Sequence, residues 1–233
     1  MNLSDEITEE IIKKIGFIFL ILWVIVFSNY NPLEAATYKL GITGGYLSGA
    51  GWQLHGEALN LAAGFPFSAR ISVGSSYSDP GNSAAARRIF INNATNGIPE
   101  KSGKLSHFRF DLNYPLNWKL VPALNLTFGP RYASFRGNFK YVGGNEDFDV
   151  TSSQWGLGLG VAAAFSITRT LDLMIISGLD YYFQSRLKGH DTAYSPDGQD
   201  VNPREDYTFS DADNAINQPG FEPYIMFGIA YRF

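Results

Sequence analysis

Three histidines, His55, His107 and His190, are the side chains of this 233-residue chain best suited to general-base work near neutral pH. Joined to a serine and a carboxylate, a histidine makes the nucleophilic set of hydrolysis and acyl transfer. His107 follows Ser106 directly, but neighbours on a strand point to opposite faces, so these two cannot form a nucleophile–base pair. His190 lies in KGHDTAYSPDG beside Asp191 and Ser195, where a loop site is conceivable but no pattern specifies it. No histidine spacing matches a metal constellation. GLGLG (156–160) sits inside an alternating segment with no helix after it, so it is not a phosphate loop.

Residues 187–219 gather Asp191, Asp197, Asp200, Glu205, Asp206, Asp211 and Asp213, opposed by Lys188 and Arg204. Oxygen-rich loops bind calcium, and whether this one does stays open. The spacing follows no calcium-loop pattern, and a solvated, disordered anionic loop is the stronger reading. These residues therefore predict neither an enzyme nor a cofactor, and no metal site is specified.

The elements that must carry these side chains alternate with period two. Eight such segments occur: YKLGITGGY (38–46), WQLHGEALNLAAGF (52–65), ARISVGSSY (69–77), SHFRFDLNY (106–114), LVPALNLTFGPRY (120–132), QWGLGLGVAAAF (154–165), TLDLMIISGLDYYFQSR (170–186) and FEPYIMFGIAYRF (221–233). In the seventh, Leu171, Leu173, Ile175, Leu179, Tyr181 and Phe183 oppose Asp172, Met174, Ile176, Gly178 and Asp180. Alternation slips near Phe135, which predicts a bulge there. In the second segment the phase changes around Gly56–Ala58, leaving the direction of His55 and Glu57 open. Short connections fall at 65–68, 114–119 and 166–170, and long ones at 79–103, 142–152 and 187–219; the connection near 48–51 is the short exception.

Charged residues make up 17% of the chain, too few for an ordinary soluble surface, yet a mean hydropathy of −0.08 is far too low for a bundle of membrane helices. Strands with lipid on one side reconcile the two. A net charge of −4 gives no footprint for nucleic acid, and the absence of cysteine rules out disulfides and thiol chemistry. At the N-terminus, Lys13 and Lys14 precede the apolar run IGFIFLILWVIVF (15–27) and the polar stretch SNYNPLEAA. The run is short of the ~20 residues a spanning helix needs. Residues 1–35 accordingly read as an export signal cut after Ala35 or Ala36, rather than a retained anchor.

The bulky Leu, Phe, Tyr and Trp lie on one face of these segments and small Gly, Ala and Ser on the other. An eight-stranded barrel has little room inside, so the bulky face belongs outside, against lipid. The glycine row 156, 158 and 160 would weaken a solvated strand. Aromatics cluster at both strand ends, as interfacial girdles do. The inward charges are then Lys39, Arg70, Arg109, Arg131, Arg186 and Arg232 against Asp111, Asp172, Asp180 and Glu222, a nearly balanced set that predicts a lumen filled by ion pairs.

With Ile225, Phe227, Ile229, Tyr231 and the final Phe233, the chain resembles small eight-stranded outer-membrane proteins of the OmpA/OmpX/opacity-protein kind across residues 36–233. The resemblance implies an all-β, eight-stranded, antiparallel up-and-down transmembrane barrel in the bacterial outer membrane. It also implies that those five residues form the assembly signal read by the barrel-assembly machinery. The sequence stops at Phe233, so the peptidoglycan-binding domain that follows the barrel in OmpA is not expected. Partners implied are outer-membrane lipids, lipopolysaccharide and an extracellular ligand at the loops, the barrel itself being a monomer. Basic Arg87, Arg88, Lys101 and Lys104 near 79–103 read as a soluble loop rather than a lipopolysaccharide contact. The expected role is structural or adhesin-like, with a narrow channel or transporter for small or apolar compounds, and then a lipid-modifying enzyme, as alternatives.

Overall fold

The structure, a computed structural model, describes residues 37–94, 96–121 and 123–233; the expected export signal lies outside the described residues. The alternating segments form β1 (Thr37–Leu47), β2 (Ala50–Leu59) and β3 (Ser68–Ser78). A short helix α1 (Ser83–Phe90) follows, then β4 (Ile98–Leu116), β5 (Leu124–Val142), β6 (Asp147–Ser166) and β7 (Leu171–Tyr182). Two-residue strands β8 (Leu187–Lys188) and β9 (Ala193–Tyr194), helix α2 (Phe209–Ala215) and β10 (Phe221–Arg232) complete the chain. Each of β1 to β6 pairs antiparallel with the next, and β10 pairs with both β7 and β1, so the sheet closes into an eight-stranded barrel. Closure removes every long edge, the condition for crossing lipid with strands.

The wall is uneven in height. Strands β1, β2, β3, β7 and β10 have 10 to 12 residues, close to what a tilted spanning strand needs, whereas β4, β5 and β6 have 19 or 20. The tall wall stands well above a low rim on the β1–β2 and β7–β10 side.

That height explains two departures from the sequence reading. No bulge occurs at Phe135: the β4–β5 register runs unshifted from Ile98 opposite Val142 to Leu116 opposite Leu124. Phe135 is buried inside because the surroundings invert, not the strand. In the spanning zone the barrel is polar within and apolar without, with Arg131 buried and Leu157 and Leu159 exposed. Above it, Phe135, Phe139, Phe148 and Val150 point inward, while Arg136, Lys140 and Ser153 face out. Water replaces lipid outside the wall, so the hydrophobic effect turns the pattern over while the pleat keeps its phase.

The phase of β2 also holds, since its register with β1 is unbroken from Thr37–Leu59 to Tyr46–Ala50. Gln53, His55 and Glu57 all point inward, and the small Gly56 and Ala58 merely occupy the lipid face.

The expected loops are correspondingly redrawn. Residues 98–103 belong to β4 and 147–152 to β6, and the predicted long loop at 142–152 shrinks to a tight turn at 143–146, with Gly143 at φ 81°. The stretch 187–219 is not a disordered anionic loop. It folds as β8, β9 and α2, whose Leu187, Tyr194, Ala212, Ala215 and Ile216 share one apolar core with Ile89 and Phe90 of α1 and Phe135 and Phe139 of the wall. Asn82 caps α1 by accepting from the Ala85 N–H, and Thr208 and Asp211 form a capping box on α2. Both helices thus lie across the top of the barrel as a cap.

Candidate functional site

Inside the spanning zone, three polar groups lie within the lumen. At the turn end, Asp172 of β7 accepts from Lys39 Nζ at 2.8 Å, from Arg232 Nη2 at 2.8 Å and from Ser166 Oγ at 2.8 Å. Along β2 to β4, Glu57 accepts from Arg70 at 3.3 Å, Ser68 at 2.7 Å and Asn113 at 2.8 Å. The third group crosses the barrel. Arg131 of β5 binds Asp111 at 2.6 Å and, through Nε, Asp180 of β7 at 2.7 Å. Asp180 also takes Arg109 Nη2 at 3.0 Å; Arg109 donates on to Gln53 at 3.3 Å and stacks 3.9 Å over the Tyr224 ring. Each ion of this group is nearly closed off from solvent, and pairing with hydrogen bonds is what makes such burial tolerable.

The glycine row makes this crossing fit. A Cβ on Gly158 would overlap the Arg131 guanidinium and the Asp180 carboxylate, and one on Gly160 would meet the Tyr224 hydroxyl. Small residues on β6 thus give the bulky polar groups of β5, β7 and β10 their space.

Eight of the ten residues expected in the lumen network take part: Lys39, Asp172 and Arg232; Arg70; and Arg109, Asp111, Arg131 and Asp180. The other two do not. Arg186 lies beyond the end of β7 and donates to the Gln199 carbonyl in the cap. Glu222 points inward at the rim, accepts only weakly from the Gly220 N–H at 3.3 Å, and has no ion pair among the described residues. Gln53, Asn113 and Tyr224 join these groups unforeseen, and Glu57, whose direction the sequence leaves open, points inward. Their signal was the alternation of Gln53, His55 and Glu57, obscured by Gly56 and Ala58 opposite. Ile225, Phe227, Ile229 and Tyr231 are exposed on the outer face of β10, and Phe233 follows with its ring against Tyr231.

The structure also brings Ser76 Oγ and His107 Nε2 together at 3.0 Å, a pairing between β3 and β4 invisible in the sequence. Both are buried, and His107 Nδ1 has no partner among the described residues, so no carboxylate orients the ring. Ser195 binds Asp197 rather than His190, whose ring approaches Asp191 at 3.4 Å. Among the described residues no group of three metal-binding side chains is assembled.

Above the membrane, Arg87 of α1 is buried rather than displayed. It binds Glu146 at 2.7 Å, Asn96 through its carbonyl and side chain, and the face of Tyr141. A hydrogen bond from Asn92, aided by Arg87, holds the Glu146 carboxyl below its ordinary range. A carboxylate lowered in the folded state stabilises fully above its unfolded value, and that contribution is lost as the pH falls through the lowered one. Cleavage within 79–97, by proteases active at each pH, is therefore expected to rise in acid, with Glu146→Gln showing the raised susceptibility already at neutral pH. Equal cleavage of the two proteins at neutral pH would dismiss Glu146 as an anchor.

Outside, aromatic rings mark two levels. Tyr38, Phe65, Tyr114, Trp118, Tyr231 and Phe233 are exposed at the turn end, and Trp52, Tyr77, Trp155, Tyr181 and Phe183 at the other, with Leu, Ile and Val between them. A closed wall, apolar outside between two girdles and carrying paired charges inside, defines a transmembrane β-barrel. The chain is 27% identical to a major outer membrane protein from Thermus thermophilus, over 86% of this chain and 100% of that one, with a TM-score of 0.70. Weaker likenesses are to Neisserial surface protein A (11% identity; 87% of this chain, 100% of that one; TM-score 0.37) and to Ail, the attachment invasion locus protein of Yersinia pestis (11%; 85% and 97%; 0.39). No family model and no curated protein matches the sequence. The protein is thus an eight-stranded barrel of the bacterial outer membrane.

Proposed function

We propose that the protein is a non-enzymatic, non-conducting outer-membrane barrel with a structural or surface-interaction role, its lumen plugged by charged side chains. The observation that carries this is the Asp111–Arg131–Asp180–Arg109 crossing, which ties β4 and β5 to β7 through the lumen with each ion buried. The apolar cap of α1 and α2 lies above it, so the lumen is filled at two levels by different physics. Ser76 and His107 make a poor catalytic pair, lacking both an orienting carboxylate and solvent access. Lipid and lipopolysaccharide then surround the wall, an extracellular ligand meets the cap, and the barrel acts as a monomer.

Planar-bilayer recording of the purified protein tests the plug. No stable openings are expected; discrete, reproducible conductance steps would replace the plug with a channel. On the resemblance, Ile225, Phe227, Ile229, Tyr231 and Phe233 serve as the assembly signal. Phe233→Ser is then expected to lower the heat-modifiable, membrane-assembled fraction severalfold in cells, and wild-type levels of assembly would remove that role.

A further inference from the structure

Five buried polar atoms without a partner among the described residues surround one cavity: Ser48 Oγ, Ser78 Oγ, Gln154 Oε1, Tyr182 OH and Gln218 Oε1. The cavity holds about 790 Å³, the size of many small-molecule sites. It sits at the low side of the rim, where the β1–β2 hairpin and the ends of β3, β7 and β10 meet the segment after α2. Two of the spare atoms are acceptors, and the three hydroxyls can donate or accept. The Gln154 amide donates to the Pro219 carbonyl at 2.7 Å and the Gln218 amide to Asp213 at 2.5 Å, so their donors are used and their oxygens remain. Gln154 and Tyr182 are almost wholly buried, where an unmatched polar atom is unfavourable.

Charge points the same way. Glu222 and Asp213 line the cavity without an ion pair among the described residues, and no lysine, arginine or histidine lines it. Its remaining surface is partly apolar, with the buried side chains of Leu105, Phe135 and Ile216 lining it. A ligand that supplies donors, positive charge and an apolar body would satisfy all three features.

We propose that this cavity binds a small amphiphilic amine. Its ammonium donates to the spare amide oxygens and to the Glu222 and Asp213 carboxylates, and its apolar part packs against Leu105 and Phe135. The site lies above the ion-paired lumen, so it stands whether or not the barrel conducts.

The test uses the full-length protein in lipid nanodiscs, titrated calorimetrically with 2-phenylethylammonium and with the neutral 2-phenylethanol. Saturable binding of the ammonium is expected, with the alcohol at least about tenfold weaker. Glu222→Gln should weaken the ammonium about tenfold without affecting the alcohol. Asp213→Asn, on α2 rather than the barrel wall, gives a second reading should Glu222→Gln fail to show heat-modifiable gel mobility. Equal binding of amine and alcohol, binding no greater than to protein-free nanodiscs, or wild-type affinity in the folded variants would each overturn the proposal.

Discussion

Asp180→Ala is expected to destabilise the folded barrel by about 3–5 kcal/mol, the penalty typical of breaking a buried ion pair. Asp180 is the single carboxylate between two buried guanidiniums, with Arg131 Nε at 2.7 Å and Arg109 Nη2 at 3.0 Å. Its removal leaves Arg131 with Asp111, but Arg109 with only the Gln53 oxygen and the Tyr224 ring. Asp180→Asn keeps the shape and one acceptor oxygen and should fall between alanine and wild type. Asp197→Asn, at an exposed cap position, is expected to change stability by less than about 0.5 kcal/mol. Urea unfolding in lipid vesicles, followed by tryptophan fluorescence, measures all three. A change at Asp180 no larger than at Asp197 would show that the crossing carries no stability.

The second large effect tests where lipid ends. Leu159→Arg puts a charge on the outer face of β6 between the girdles and is expected to destabilise by about 2–4 kcal/mol. Ser153→Arg, on the same face three outward positions further along, lies past Trp155 and should cost about 0.5 kcal/mol or less. Both residues are exposed on the protein surface, so only the surrounding medium separates them. Vesicle unfolding again gives the answer, and equal effects would mean that the boundary has been drawn in the wrong place. The comparison bears directly on Phe135, since the same boundary on β5 turns its pattern over.

The class of fold was legible because one constraint dominates it. A strand exposed to lipid on one side must alternate, and a spanning barrel must close, with short turns at one end and longer loops at the other. In β7 and β10 nothing interrupts that pattern, and the faces read from Leu171 to Phe183 and from Ile225 to Phe233 are those the structure displays. The ion-pair residues were legible for the same reason, as charges on the face opposite the leucines.

What failed was anything requiring knowledge of where the medium changes. Phe135 read as a bulge because a switch from polar to apolar on one face looks identical, in one strand, to a slip of one residue. Residues 98–103 and 147–152 read as loop because outward Glu100 and Asp149 resemble loop composition, although they face water from a strand. The acidic stretch 187–219 read as disordered because its apolar Leu187, Tyr194, Ala212 and Ile216 are scattered; they become a core only against Phe90 and Phe135. The direction of Glu57 stays open in the sequence because the small Gly56 and Ala58 hide the alternation.

By itself, then, the sequence determined strand number, order and the lipid face, because period-two patterning is a local property that each segment carries alone. Only the closed tertiary structure decided which charge meets which, where the tall wall leaves the membrane, and that two helices fill its mouth. Those facts depend on distances between segments far apart in the chain, and on which solvent each face finally meets.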